Sequence, residues 1–116
     1  MFGRLKNLFK KMYQDLNAEA FARAIKDNSK AVVIDVRSPG EFMEGHIKGA
    51  KNINIMSPTF AQEVAKLDPS KEYYVYCRSG NRSRAACGLM ARHGLQPLYN
   101  LDMGLIGWKG GLVTRA

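Results

Sequence analysis

The sequence predicts a one-domain α/β protein, a central parallel β-sheet flanked by helices on both faces. Three observations carry that expectation. Strand-like and helix-like segments alternate along the chain, which implies parallel pairing with crossover helices. The strand candidates Ala31–Val36 and Tyr73–Cys77 are short continuous runs of β-branched and aromatic residues, as in strands buried on both faces. Finally, 116 residues with 46% hydrophobic and 24% charged content suffice for one core and are too few for two of comparable size.

The elements follow in order. Asn17 is an N-cap candidate for a helix over Ala18 to Lys26, with a hydrophobic staple between Leu16 and Phe21. The strand Ala31–Val36 is followed by Ser38-Pro39-Gly40-Glu41, an N-cap, a proline at the first helical position and a glutamate three residues on. A short helix to about Glu44 is then closed by Gly45. Asn52 to Ile55 is a strand candidate, and Ser57-Pro58 repeats the cap signal before a helix over Thr59 to Leu67, broken by Asp68-Pro69. The strand Tyr73–Cys77 runs into a Ser/Gly/Asn loop and a helix over Ser83 to His93, with Gly94 as its C′ residue. Leu98 to Leu101 is the last strand candidate. In such a sheet the ligand site lies at the carboxyl ends of the strands, and Cys77 is at one of them.

The formal charge of +8 is concentrated. Residues 1–14 carry Arg4, Lys6, Lys10 and Lys11 and no acid; residues 73–101 carry Arg78, Arg82, Arg84 and Arg92 and no acid; the rest cancels. Clustering in one cysteine-containing stretch favours a small local anion site over a nucleic-acid face, which would spread its charge and interleave aromatics. On a helical wheel Met1, Phe2, Leu5, Leu8, Phe9, Met12 and Tyr13 fall within one arc of about 140°, with the four cations outside it. This predicts a basic amphipathic helix over 1–14, preceding a domain over 15–116 and suited to contact with its own domain, a partner or, weakly, an anionic membrane surface. No apolar run is long enough to span a bilayer. Two cysteines, with no apolar h-region after Arg4 and Lys6, predict reduced thiols and a cytoplasmic location.

The stretch Cys77-Arg-Ser-Gly-Asn-Arg-Ser83 joins a buried strand to a helix N-terminus. There, successive backbone N–H groups can curl around one point, and the helix dipole adds partial positive charge. Gly80 and Asn81 suit the unusual dihedrals of such a curl, and Arg78 and Arg82 add full charges. A free cysteine titrates near about 8.5, and surroundings of this kind lower that value, so Cys77 is expected to be a nucleophile at neutral pH.

At this point the sequence resembles the rhodanese family of single-domain sulfurtransferases. The resemblance covers about residues 15–112 and rests on two separated motifs. One is Asp35-Val-Arg-Ser-Pro-Gly-Glu-Phe-Met-Glu-Gly-His-Ile-Lys-Gly-Ala50, with Asn52-Ile53 just after; the other is the Cys77 loop. A third, looser match is Gly104-Leu-Ile-Gly-Trp-Lys-Gly-Gly111, which looks like the family's C-terminal glycine and tryptophan segment with its glycines displaced. The resemblance implies a Cys77 that accepts a sulfane sulfur as a persulfide, from a small anionic donor such as thiosulfate, and passes it to a thiol, a protein or another thiophilic acceptor. The sequence carries no nucleotide or metal signature, so no cofactor and no metal are expected. The alternatives are a binding module without catalysis and a cysteine-dependent phosphatase or arsenate reductase. Those enzymes place arginine after five intervening residues, where this chain has Ser83; Arg82 falls one place early and matches the shorter rhodanese ring.

The expected cradle is thus Arg78, Ser79, Gly80, Asn81, Arg82 and Ser83 around Cys77. Asp35 and Arg37, at the end of the first buried strand, are expected beside it, Asp35 paired with an arginine and Arg37 helping to attract an anionic donor. His46 is expected to hydrogen-bond structurally, His93 to cap its helix, and Cys87, on the same helical face as Ala86 and Met90, to pack in the core.

Overall fold

The computed structural model describes residues 11–114. In chain order the elements are β1 (Gln14–Leu16), α1 (Ala18–Ile25), β2 (Ala31–Asp35), α2 (Pro39–Glu44), β3 (Lys51–Asn52), α3 (Phe60–Ala65), β4 (Glu72–Tyr76), α4 (Asn81–Arg92), β5 (Leu98–Leu101) and a 3₁₀ turn over Gly104–Gly107. The strands form one sheet in the order β1-β5-β4-β2-β3, every pair parallel. All strands therefore end on the same edge, where α2, the loop before α4 and the 3₁₀ turn meet.

Alternation along the buried strands divides the core. Ile34, Val36, Tyr73, Val75, Cys77 and Leu98 face α3 and α4, packing on Phe60, Val64, Ala86, Cys87 and Met90. Val33, Tyr74, Tyr76 and Leu101 face Phe21 of α1, joined by Leu105 and Trp108 from the 3₁₀ turn. Phe21 meets Tyr74 and Trp108 edge-on, with ring centroids 5.6 and 5.9 Å away.

The local signals operate as read at α1, where Asn17 Oδ1 accepts the Ala20 N–H, and at α2, where Ser38 and Glu41 form a capping box. Three expectations need correction, and a fourth falls largely outside what the structure describes. The strand expected over 52–55 is only Lys51–Asn52: the Ile53 N–H still bonds to the Asp35 carbonyl, but beyond it the register is lost, the Ile55 N–H reaching the Val36 carbonyl while the Asn52 side-chain amide donates to the Arg37 carbonyl. Ser57 does not cap α3: its hydroxyl accepts the Thr59 N–H in a local turn, and the helix begins at Phe60. Helix α4 begins at Asn81, ahead of the Ser83 start expected from residue type. The amphipathic helix expected over 1–14 lies mostly outside the described residues; at its end Met12 and Tyr13 form a bend and Gln14 opens β1, drawn into the sheet by β5.

Candidate active site

Strand β4 delivers Cys77 to the sheet edge, and the chain turns at once into α4. Gly80 is the residue before the helix and holds φ at +101°, a left-handed conformation that glycine adopts without a Cβ clash. The turn wraps the backbone around the sulfur. Cys77 Sγ accepts the Gly80 N–H at 3.1 Å and the Ser83 N–H at 3.4 Å, and the thiol donates to Ser83 Oγ at 3.4 Å. The Ser83 hydroxyl in turn donates to the Gly80 carbonyl at 3.1 Å. A helix start normally takes a side-chain oxygen to satisfy its third N–H; here the sulfur fills that role, which is why α4 begins two residues before the serine.

Burial of the sulfur pushes its pKa up, since Cys77 is 1% exposed, but the Ser83 hydroxyl and the N–H groups of Ser83, Gly80 and Ser79 outweigh that effect and hold it below the usual thiol value. Cys87, buried among apolar side chains of the same core, is pushed up to about 12 by desolvation. The same core cluster thus holds one thiol whose pKa is lowered and one whose pKa is raised.

The loop is clamped from outside. Leu105 and Ile106 of the 3₁₀ turn donate their N–H groups to the Cys77 and Arg78 carbonyls, each at 3.1 Å. So close an approach requires Gly104, whose φ is +56° and where a Cβ would stand 2.4 Å from the Arg78 oxygen. Sequence reading placed Gly104 in a loose motif; the signal for its role was the glycine itself, next to a strand end.

The arginines are arranged differently from the sequence expectation. Arg82 forms a two-pronged pair with Glu41 of α2, Nη1 to Oε1 at 2.8 Å and Nη2 to Oε2 at 3.0 Å. Glu41 was legible only as a helix-capping residue, and its Oε1 does accept from the Ser38 N–H and hydroxyl as well. Arg37 is buried, with Nε 3.1 Å from both Asp35 carboxylate oxygens, Nη2 2.7 Å from Oδ2, and Nη2 also 2.6 Å from the Gly45 carbonyl. This pair lies against Tyr76 on the α1 side of the sheet, whereas Cys77 faces α4. Asp35 and Arg37 therefore brace the turn at Gly45, and Arg37 is spent on that pair instead of facing an anion. Arg78 and Ser79 are exposed at the outer rim of the loop, and the exposed Asn81 opens α4, its Oδ1 accepting from the Arg84 guanidinium. His46 stacks on Phe42 at 3.7 Å, with Nδ1 2.8 Å from the Phe42 carbonyl oxygen.

The Arg82 pair, with its capping bonds, holds the Glu41 carboxyl down at about 2, below its usual 4.5. A lowered carboxylate pKa stabilises the fold above the unfolded value, and that stabilisation is lost as pH falls from about 4.5 towards 2. Because both side chains are about one-third exposed, the effect is discounted to about 1–2 kcal/mol. Urea unfolding of Glu41→Gln between pH 5 and pH 2 should accordingly show a flatter acid decline than the parent, the two curves converging at the acid end.

A thiol cupped by strand-to-helix amides at the carboxyl edge of a parallel sheet marks a class of α/β proteins built around an activated cysteine. Within that class the chain belongs to the rhodanese-like domain family, which matches residues 17–110. It is 33% identical over 88 residues to the thiosulfate sulfurtransferase GlpE of Pseudomonas aeruginosa (strain LESB58), covering 76% of this chain and 77% of that one. It is 29% identical over 98 residues to a sulfurtransferase of Allochromatium vinosum, covering 84% and 89%. Among solved structures, a rhodanese-related protein from Thermoplasma volcanium superposes with a TM-score of 0.74 at 30% identity, covering 89% of this chain and all of that one. Among the described residues no helix is long and apolar enough to cross a membrane.

Proposed function

We propose that this protein is a sulfurtransferase that carries a sulfane sulfur on Cys77. The observation that carries the reading is the ring around Sγ: the Gly80 and Ser83 N–H groups donate to the sulfur, and the thiol donates to the Ser83 hydroxyl oxygen. Such a ring favours the thiolate, and its amides would stabilise charge on a sulfur atom attached to Cys77. With thiosulfate, the Cys77 thiolate attacks the sulfane sulfur; a new S–S bond forms, the S–S bond of the donor breaks, and sulfite leaves with the electron pair. Cys77 then holds a persulfide whose terminal sulfur is the electrophile for the next thiolate or for cyanide. Ser79, Gly80, Asn81 and Ser83 shape the ring, Arg78 faces incoming anions, and Arg82 secures the loop to α2.

A phosphatase needs its loop arginine over the transferred oxyanion. Engagement of Arg82 with Glu41 supports sulfur transfer over that alternative. The test is intact mass. Incubation with thiosulfate should add one sulfur atom to the protein, and cyanide should remove it with release of thiocyanate; no mass gain with thiosulfate or with any persulfide donor overturns the proposal.

A further inference from the structure

Four arginines lie in the Cys77 loop or at the sheet edge that carries it, and three of them are committed. Arg37 is held by Asp35 and Arg82 by Glu41. Arg84 is held by Asn81 and, at 3.8 Å, by Asp102. Arg78 is exposed and, among the described residues, has no ion pair or hydrogen bond to its side chain. Four guanidinium groups against three carboxylates leave one positive charge, and a Cys77 thiolate cancels it. The reactive state of the site is therefore close to neutral in spite of its arginine content.

Resting on the sulfurtransferase reading, we infer that Glu41 is a specificity-determining positioning residue. By neutralising Arg82 it sets the site for sulfane donors that carry at most one charge at the reacting end, the persulfides of thiols, which react in the protonated form, ahead of dianionic thiosulfate. With such a donor the Cys77 thiolate attacks the terminal sulfur of R–S–SH. The new S–S bond forms, the S–S bond of the donor breaks, the proton stays on the transferred sulfur, and R–S⁻ leaves with the electron pair. Total charge is conserved at minus one. With thiosulfate the same attack brings three negative charges together, with only Arg78 unpaired to offset them.

Glutamine at position 41 retains the capping-box geometry and a neutral hydrogen bond to Arg82, so Glu41→Gln removes charge and little else. The experiment measures kcat/KM for thiosulfate and for the persulfide of N-acetylcysteine methyl ester, which has no charge apart from its sulfur. In Glu41→Gln the thiosulfate-to-persulfide ratio should rise about five- to tenfold through a lower KM for thiosulfate, as expected for one unpaired charge at a partly screened site. Arg78→Gln, on an exposed residue, should move the ratio the opposite way. A purely structural role for Glu41 would reduce both donors equally, and a ratio unmoved in either variant overturns the inference. The parent protein's intact mass separates the two readings: a Cys77 mass gain with an unmoved ratio leaves the sulfurtransferase standing, and no gain with either donor removes both.

Discussion

Cys77→Ser is expected to abolish sulfur transfer, with turnover reduced at least about a thousandfold for every donor and no mass gain on the protein. Serine preserves the loop's shape, since its oxygen can accept the same N–H groups that the sulfur accepts. It has no thiolate to form at neutral pH and cannot hold a sulfur as a persulfide. Cys87→Ser supplies the comparison. That thiol is completely buried and its pKa is raised, so it is protonated at neutral pH and out of reach of donors. Its replacement should lower stability by about 1–2 kcal/mol through burial of a hydroxyl and leave transfer in place. The assignment fails if turnover survives in Cys77→Ser and disappears in Cys87→Ser.

Among the described glycines, Gly104 is where an added methyl group should do the most damage. The added carbon would stand 2.4 Å from the Arg78 oxygen, 2.5 Å from its carbonyl carbon and 2.6 Å from the Cys77 oxygen, all backbone atoms, at a φ of +56°. Relief requires the 3₁₀ turn to leave the loop, with loss of the Leu105 and Ile106 hydrogen bonds. A loss of about 3–5 kcal/mol is expected, or a fall in Tm of about 15 °C or more. The sulfur should feel it too, because a displaced loop no longer aims its amides: the pH–rate profile should move to higher pH as the thiolate becomes harder to form. Gly88→Ala is the contrasting substitution. It lies within α4 with nothing inside 4 Å of the new carbon, and should leave stability unchanged or raise it by up to about 1 kcal/mol.

The parts of the fold legible in the sequence are those set by local chemistry. Ala31–Asp35 and Glu72–Tyr76 read as buried strands because β-branched and aromatic side chains crowd both their faces. Asn17 and Ser38 read as caps because their side chains bond within three residues. Gly94, at φ +85° after α4, is a stop signal of the same local kind. Strand β1 was not legible: Gln-Asp-Leu has no apolar alternation, and the segment is a strand only because β5 offers it a partner edge. The early start of α4 escaped for a related reason, since its cap is a sulfur four residues upstream of the first helical residue. At the site, the cysteine, the glycine and the serine were readable from their order in the chain. The partner of Arg82 was not, because Glu41 reaches it only once two crossovers have brought α2 and the loop to the same sheet edge.

The clamp between the 3₁₀ turn and the cysteine loop makes two distant amide protons into reporters of the site. The N–H groups of Leu105 and Ile106 end on the Cys77 and Arg78 carbonyls, so each is exposed to solvent only when loop and turn part. Their hydrogen–deuterium exchange then measures the opening equilibrium of the loop itself, with neither amide belonging to it. A sulfur atom seated on Cys77 that tightened the ring would slow exchange at these two positions, so occupancy at one end of the clamp becomes a protection factor at the other.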